Sequence, residues 1–342
     1  MENEPKTLQQ ATIYFSNPDN CVSYLVSRRW PDGVVTCPNC GSGKVSYLPK
    51  RRVWQCKTRH PKAQFSIKVG TIFEDSTISL DKWLMVMWMM ANCKNGVSSH
   101  EIKRSVGVTQ KSAWYMLHRV RLAMKEDDTP LALGGHWGNP VEIDETFVGG
   151  KMKNMHRKRA MAIRENAPID RMDGFETNLK NKTAVMGMLN RQTRQVRAKV
   201  IPNVKRETLQ AEILKNVGFN AHVFTDRHVG YDGLDKLNNF THKTVNHMTE
   251  YVNGRVHTQG IENFWSLLKR GLTGTYVAVE PYHLDAYVDE QVFRYNNRLK
   301  MDDADRFSKV VTQIVGKRLT YSGLTGKVSD RQPETPEQGQ AF

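Results

Sequence analysis

The chain has 342 residues, and 50 Lys and Arg against 35 Asp and Glu leave a formal net charge of +15, with a pI near 9.6. A surplus of that size points to a polyanionic partner, because basic side chains that neutralise phosphates release condensed counterions. No run approaches the roughly 18–20 apolar residues that span a bilayer; the most apolar stretch, residues 83–91, gives way to Asn92 and Lys94, and a membrane protein is not expected.

The opening MENEPKTLQQ lacks the basic and apolar regions of a secretory signal. Residues 1–20 read as an N-terminal segment, and a cytoplasmic, nucleoid-associated location is expected. Five cysteines in a reducing compartment suit a metal site better than disulfides. Cys37-Pro-Asn-Cys40 forms one half-site, and Cys56 with His60 forms a second after fifteen intervening residues. Three thiolates and an imidazole in a closed set suit one tetrahedral, structural Zn2+. The alternation of VSYLPKRRVWQ, resumed from Gln64, reads as strands around a hairpin, so residues 21–75 are expected to form a zinc ribbon. Cys21 and Cys93 lie apart and read as ordinary buried residues.

Beyond the ribbon the apolar period changes from two to 3.6. Residues 76–126 read as a helical, DNA-binding segment. Ser79 opens a strongly apolar helix; a short helix from Ser99, a turn at Gly107 and a helix capped by Thr109 then follow the helix-turn-helix pattern. Gln110, Lys111 and Tyr115 stand near the start of the second helix, where recognition helices meet bases, and Arg119 and Arg121 suit backbone phosphates. Residues 127–140, rich in Gly and Pro, read as a linker.

The second half carries the candidate chemistry. Asp144 sits inside the apolar strand VEIDETFV, and a second apolar strand, AHVFTD, delivers Asp226 at its carboxyl end. A carboxylate in such a strand is costly unless it is paired or bound to metal. Glu262 lies one residue past the start of an apolar helical stripe formed by Ile261, Phe264, Trp265 and Leu268. Three carboxylates from two strands and a helix suit two Mg2+ (or Mn2+) ions, which take hard oxygen ligands and assist phosphoryl transfer. Glu142 shares the face of Asp144 and is a spare acid; Glu145 points to the opposite face. His257, just before the helix, reads as an orienting group or a loop hydrogen-bond partner. Arg194 and Arg197 read as a solvated surface, the basic stretch of residues 151–159 as a loop that closes on DNA or a charged insertion, and residues 319–342 as a polar, Pro-rich disordered tail.

The strings CPNCGSG, WQCKTRH, FSIKVGTIFEDS, IDETFVGGK, FTD, HTQGIENFWSLLKRGLTGTY and YVDEQVFRYNNR resemble the zinc-ribbon insertion-sequence transposases related to the Merlin superfamily, over residues 20–300. The resemblance implies an α/β fold in which residues 141–318 form a ribonuclease H-like mixed sheet with flanking helices, behind the zinc ribbon and the helix-turn-helix-like segment. It makes Asp144, Asp226 and Glu262 the first, second and third acids, with Lys269 and Arg270 able to touch DNA. The 36 positions from Asp226 to Glu262 are close to the spacing common among such enzymes. Arg227 departs from the small residue expected after the second acid, and Asn263 competes with Glu262, since some relatives use Asn there. The implied function is cutting insertion-sequence ends and joining them to target DNA, with double-stranded terminal inverted repeats and target as partners and a homodimer on paired ends. A non-catalytic DNA-binding regulator and a structure-specific nuclease are the alternatives.

Overall fold

A computed structural model describes residues 4–126, 132–134, 139–150, 157–158, 161, 182–245 and 257–326. The basic stretch, apart from residues 157 and 158, and the tail from residue 327 lie outside them. Among the described residues no helix is long and apolar enough to cross a membrane.

The first twenty residues do more than lead in. Helix α1 (Leu8–Phe15) and helix α2 (Pro18–Arg29) are split by Asn17, whose side chain accepts from the Asp19 amide while Pro18 takes the first helical turn. That placement uses the one position where proline's missing N–H costs nothing. A three-stranded antiparallel sheet follows, in the order β1 (Val45–Leu48), β2 (Val53–Cys56), β3 (Gln64–Ser66). Its register places Tyr47 opposite Trp54, and Trp54 opposite Phe65, so aromatic rings stack across all three strands.

Helix α3 (Leu80–Asn92) is apolar on nearly every side because it is the centre of the first core. Helix α4 (Ser99–Val106) starts in a capping box between Ser98 and Glu101 and ends at the left-handed Gly107. Helix α5 (Gln110–Met124) follows, its first turn capped by Thr109. The pair and its turn therefore fall where the caps in the sequence place them.

A five-stranded mixed sheet forms the second half, built from β4 (Val141–Val148), β5 (Thr183–Asn190), β6 (Val196–Ile201), β7 (His222–Asp226) and β8 (Thr241–Val245). The spatial order is β6-β5-β4-β7-β8; β6, β5 and β4 run antiparallel, whereas β4, β7 and β8 run parallel. Strand β5 is buried on both faces, as a near-continuous apolar run should be. Ala184, Met186 and Met188 join the core under helix α6 (Arg206–Asn216). Val185 and Leu189 face the opposite core, under helix α7 (Gln259–Gly271) and helix α8 (Leu284–Asn296).

The chain then turns back. Helix α9 (Asp303–Thr312) sends Phe307, Val310 and Val311 into the first core beside Phe15, Tyr24 and Trp88, with the Trp88 and Phe307 rings 4.9 Å apart. The short helix α10 (Tyr321–Thr325) follows, so the first residues of the stretch expected as a disordered tail are instead folded, with the Leu319 carbonyl accepting from Tyr115. The stretch expected as one catalytic unit, residues 141–318, thus gives its last part to the N-terminal core. A buried ionic cluster joins the two halves. Arg121 Nε donates to Glu290 Oε2 at 2.7 Å, Arg294 and Tyr276 both donate to Glu290 Oε1, and Arg121 lies 3.8 Å over the Tyr287 ring.

Candidate active site and metal centres

The ribbon brings its four expected ligands together. Ligand atoms of Cys37, Cys40, Cys56 and His60 all lie within 4.8 Å of one another. His60 points Nε2 at Cys37 Sγ, 3.5 Å away, and donates Nδ1–H to the Pro61 carbonyl at 2.6 Å. That bond fixes the tautomer whose other nitrogen is free to ligate, the usual arrangement around a metal-bound imidazole. Gly41, at φ 72, closes the turn after the first cysteine pair. The set fits a structural Zn2+, and one zinc per chain is expected by elemental analysis. Chelation should unfold the ribbon, since a structural zinc contributes on the order of 10 kcal/mol; the emission of Trp54, stacked inside it, should shift red. An unchanged spectrum after complete removal would show that the sheet folds without metal.

The helix-turn-helix candidates divide. Gln110 Nε2 bonds Ser99 Oγ at 3.0 Å, Lys111 Nζ lies 4.7 Å from the Tyr321 ring, and Tyr115 donates to the Leu319 carbonyl at 2.6 Å. Arg119 and Arg121 do not reach an outer surface; they are 5% and 1% exposed. Arg119 donates to the carbonyls of Ile72, Glu74 and Leu319, and Arg121 belongs to the buried Glu290 cluster. Their assignment to phosphate is therefore corrected: α8 and the returning C-terminal segment cover the second half of α5, which no local pattern reveals.

The three acids converge on the sheet. β4 and β7 are adjacent and parallel, which sets Asp144 beside Asp226. α7 crosses over β4 and β5, and its buried stripe is Ile261, Phe264, Trp265 and Leu268. Trp265 Nε1 donates to Asp144 Oδ2 at 2.9 Å. The indole can lie that close only because Gly187, paired with Asp144 across the sheet, has no side chain: a Cβ there would stand 2.6 Å from the ring. Gly187→Ala should push Trp265 off Asp144 and cost about 1–3 kcal/mol by overpacking. Melting curves of parent and variant test this; an unchanged melting temperature would contradict it.

Thr258 links the other two acids. Its hydroxyl lies 3.4 Å from Asp226 Oδ1 and 3.1 Å from Glu262 Oε1, and the residue is fully buried. Burial, the Asp226 charge and, more weakly, Glu262 push the Asp144 carboxyl up to about 6, against the Trp265 N–H. Glu262 meets Thr258 from one turn along the helix; it and Asn263 are both exposed. Three repelling carboxylates with hard oxygen donors fit divalent cations such as Mg2+ or Mn2+.

The neighbouring acids have other partners. Glu145, on the opposite face from Asp144, accepts from Tyr231, and burial pushes its carboxyl up to about 7. Glu142 is 1% exposed and paired with Arg191, so it is not a spare ligand. His257 Nδ1 lies 3.5 Å from Glu142 Oε1. Lys269 and Arg270 are exposed in the last turn of α7. Sequence reasoning missed Thr258, Gly187 and Arg191, and read Trp265 as core alone; the periodicity marks Trp265 as buried, and nothing local marks its N–H.

Residues 133–296 match the ISXO2-like transposase domain, and residues 16–58 match the transposase zinc-ribbon domain. An uncharacterized protein in the transposable element ISH50 of Halobacterium salinarum is 29% identical over 266 residues, 76% of this chain and 84% of that protein. An uncharacterized transposase-like protein of Haemophilus influenzae is 35% identical over 98 residues, 29% of this chain and 78% of that one. A solved structure of the simian T-cell lymphotropic virus intasome in complex with PP2A regulatory subunit B56 gamma aligns over 59% of this chain and 66% of its own. At 11% identity and a TM-score of 0.26, that likeness is too distant to bear on the fold.

Proposed function

This chain belongs to the ISXO2-like transposase family, and on that premise we propose that it cuts the ends of its insertion sequence and joins them to target DNA at Asp144, Asp226 and Glu262. The observation that carries the reading is the convergence of these acids from two adjacent parallel strands and the first turn of α7, linked by Thr258. The sheet order, three antiparallel strands followed by two parallel ones, supports a ribonuclease H-like catalytic domain. Two divalent cations held by these acids would supply an activated water or 3′-hydroxyl and charge for the departing oxygen.

The chain's own residues do the positioning. Trp265 holds the Asp144 carboxyl by one oxygen. Thr258 has one proton to share between Asp226 and Glu262, so it damps their repulsion. Lys269 and Arg270 lie at the far end of α7, where they can meet the phosphates of a bound duplex. Gln110, Lys111 and Tyr115 on α5 are the base-reading candidates, and two copies of the chain would bring paired ends together.

The full-length protein, incubated with linear DNA bearing its element's terminal repeats and Mg2+ or Mn2+, should produce cut ends and joined products. Binding with neither cleavage nor joining would instead indicate a regulator. Cleavage of branched DNA regardless of end sequence would indicate a structure-specific nuclease.

A further inference from the structure

The first turn of α7 is capped in an unusual way. A helix leaves its first amides without intrahelical partners, and the side chain of the residue before the helix ordinarily accepts from the third. Here that residue is Thr258, and its hydroxyl makes no such bond; it is turned to Asp226 and Glu262 instead. The third amide, Ile261 N, donates to Glu142 Oε2 at 2.9 Å. A carboxylate from the start of β4, two residues before Asp144, thus caps the helix that carries Glu262.

Glu142 is held for this from every side. Arg191 Nε donates to its other oxygen at 2.5 Å, and the Arg191 guanidinium stacks 4.7 Å over Phe224 of β7 and also donates to the His257 carbonyl. Gly260 leaves the room: a Cβ there would sit 2.8 Å from Glu142 Oε2. An ionised carboxylate at a helix N-terminus is further favoured by the helix dipole. Taking the charge out of water is costly unless it is paired, and Arg191 with the Ile261 amide provides that pairing.

We propose that Glu142 is a positioning residue: by capping α7 in place of Thr258 it frees the Thr258 hydroxyl for Asp226 and Glu262 and fixes the third acid against the first. The proposal rests on the reading of Asp144, Asp226 and Glu262 as cation ligands. Glu142 has no ligand role of its own, since both of its oxygens are already used.

The test compares full-length parent, Glu142→Gln, Gly260→Ala and Asp144→Asn proteins in two measurements. The first is the melting temperature without divalent cations. The second is the apparent Mn2+ dissociation constant, read from the rise of the melting temperature with Mn2+ concentration. Glu142→Gln should raise the Mn2+ dissociation constant about tenfold, as loss of a ligand-orienting partner does, and Gly260→Ala, which displaces the carboxylate without removing it, should do the same even if the first variant folds poorly. A lower cation-free melting temperature with unchanged Mn2+ affinity in both variants would make the latch merely structural and overturn the proposal. A parent protein with no Mn2+ response that Asp144→Asn removes would instead overturn the ligand reading itself.

Discussion

Asp144→Asn and Asp226→Asn should each abolish cleavage and joining, by about three orders of magnitude or more, while DNA binding persists. The argument is one of charge at constant shape. An amide in place of the Asp144 carboxylate could still accept from the Trp265 N–H, but it offers a cation only a neutral oxygen. Asp144→Asn has a second, opposite signature. Because the folded protein lifts the Asp144 carboxyl from 3.8 to about 6, the ionised group lowers stability above that window and the cost disappears as the pH falls below it. Removing the charge should therefore stabilise the cation-free protein at pH 7, by on the order of 1–3 kcal/mol. Loss of activity joined to a higher melting temperature is the expected pair. Joining at the parental rate in either variant would show that these carboxylates do not serve the reaction.

Glu290→Gln should be among the most destabilising single changes, at about 3–5 kcal/mol. Glu290 is fully buried between Arg121 and Arg294, and the neutral amide leaves two buried guanidinium ions without a counter-charge. Burial alone would raise the Glu290 carboxyl, yet Arg294 and Arg121 together bring it down to about 2 from 4.5. A depressed folded value means stability that is present above pH 4.5 and lost as the pH falls towards 2. The gap between parent and variant should therefore be full at pH 7 and narrow steadily below pH 4.5. Urea unfolding at several pH values measures it; a gap independent of pH would mean that the pair's charge is not what stabilises the cluster.

What the sequence makes legible is local. The zinc ligands follow from spacing and the α4–α5 pair from Gly107 and Thr109; Asp144 and Asp226 stand out as carboxylates in apolar strands, whereas Glu262 is marked mainly by the family resemblance. What it hides depends on distant partners. Arg119 and Arg121 look like surface cations until the C-terminal segment and α8 cover them. Glu142 looks like a spare acid because its capping partner lies 119 residues away. Nothing in the sequence marks Thr258, and only the fold shows that Asp226 and Glu262 compete for its proton. Helices α1 and α2 carry cap signals of their own, but the role of Phe15 and Tyr24 is fixed by Phe307, far along the chain.

The return of α9 to the first core has a consequence for how the protein can be divided. The polypeptide leaves the first half after α5 and returns to it after α8, so the first half is discontinuous in sequence, whereas the second runs without a break from β4 to α8. A fragment ending at residue 126 would leave Trp88 and Tyr24 facing water where Phe307 belongs, and would leave Arg121 without Glu290. A fragment starting at residue 141 would carry the complementary wound. Both fragments would break the same core, and α5 and α8 meet at a fully buried ionic junction that neither fragment can complete.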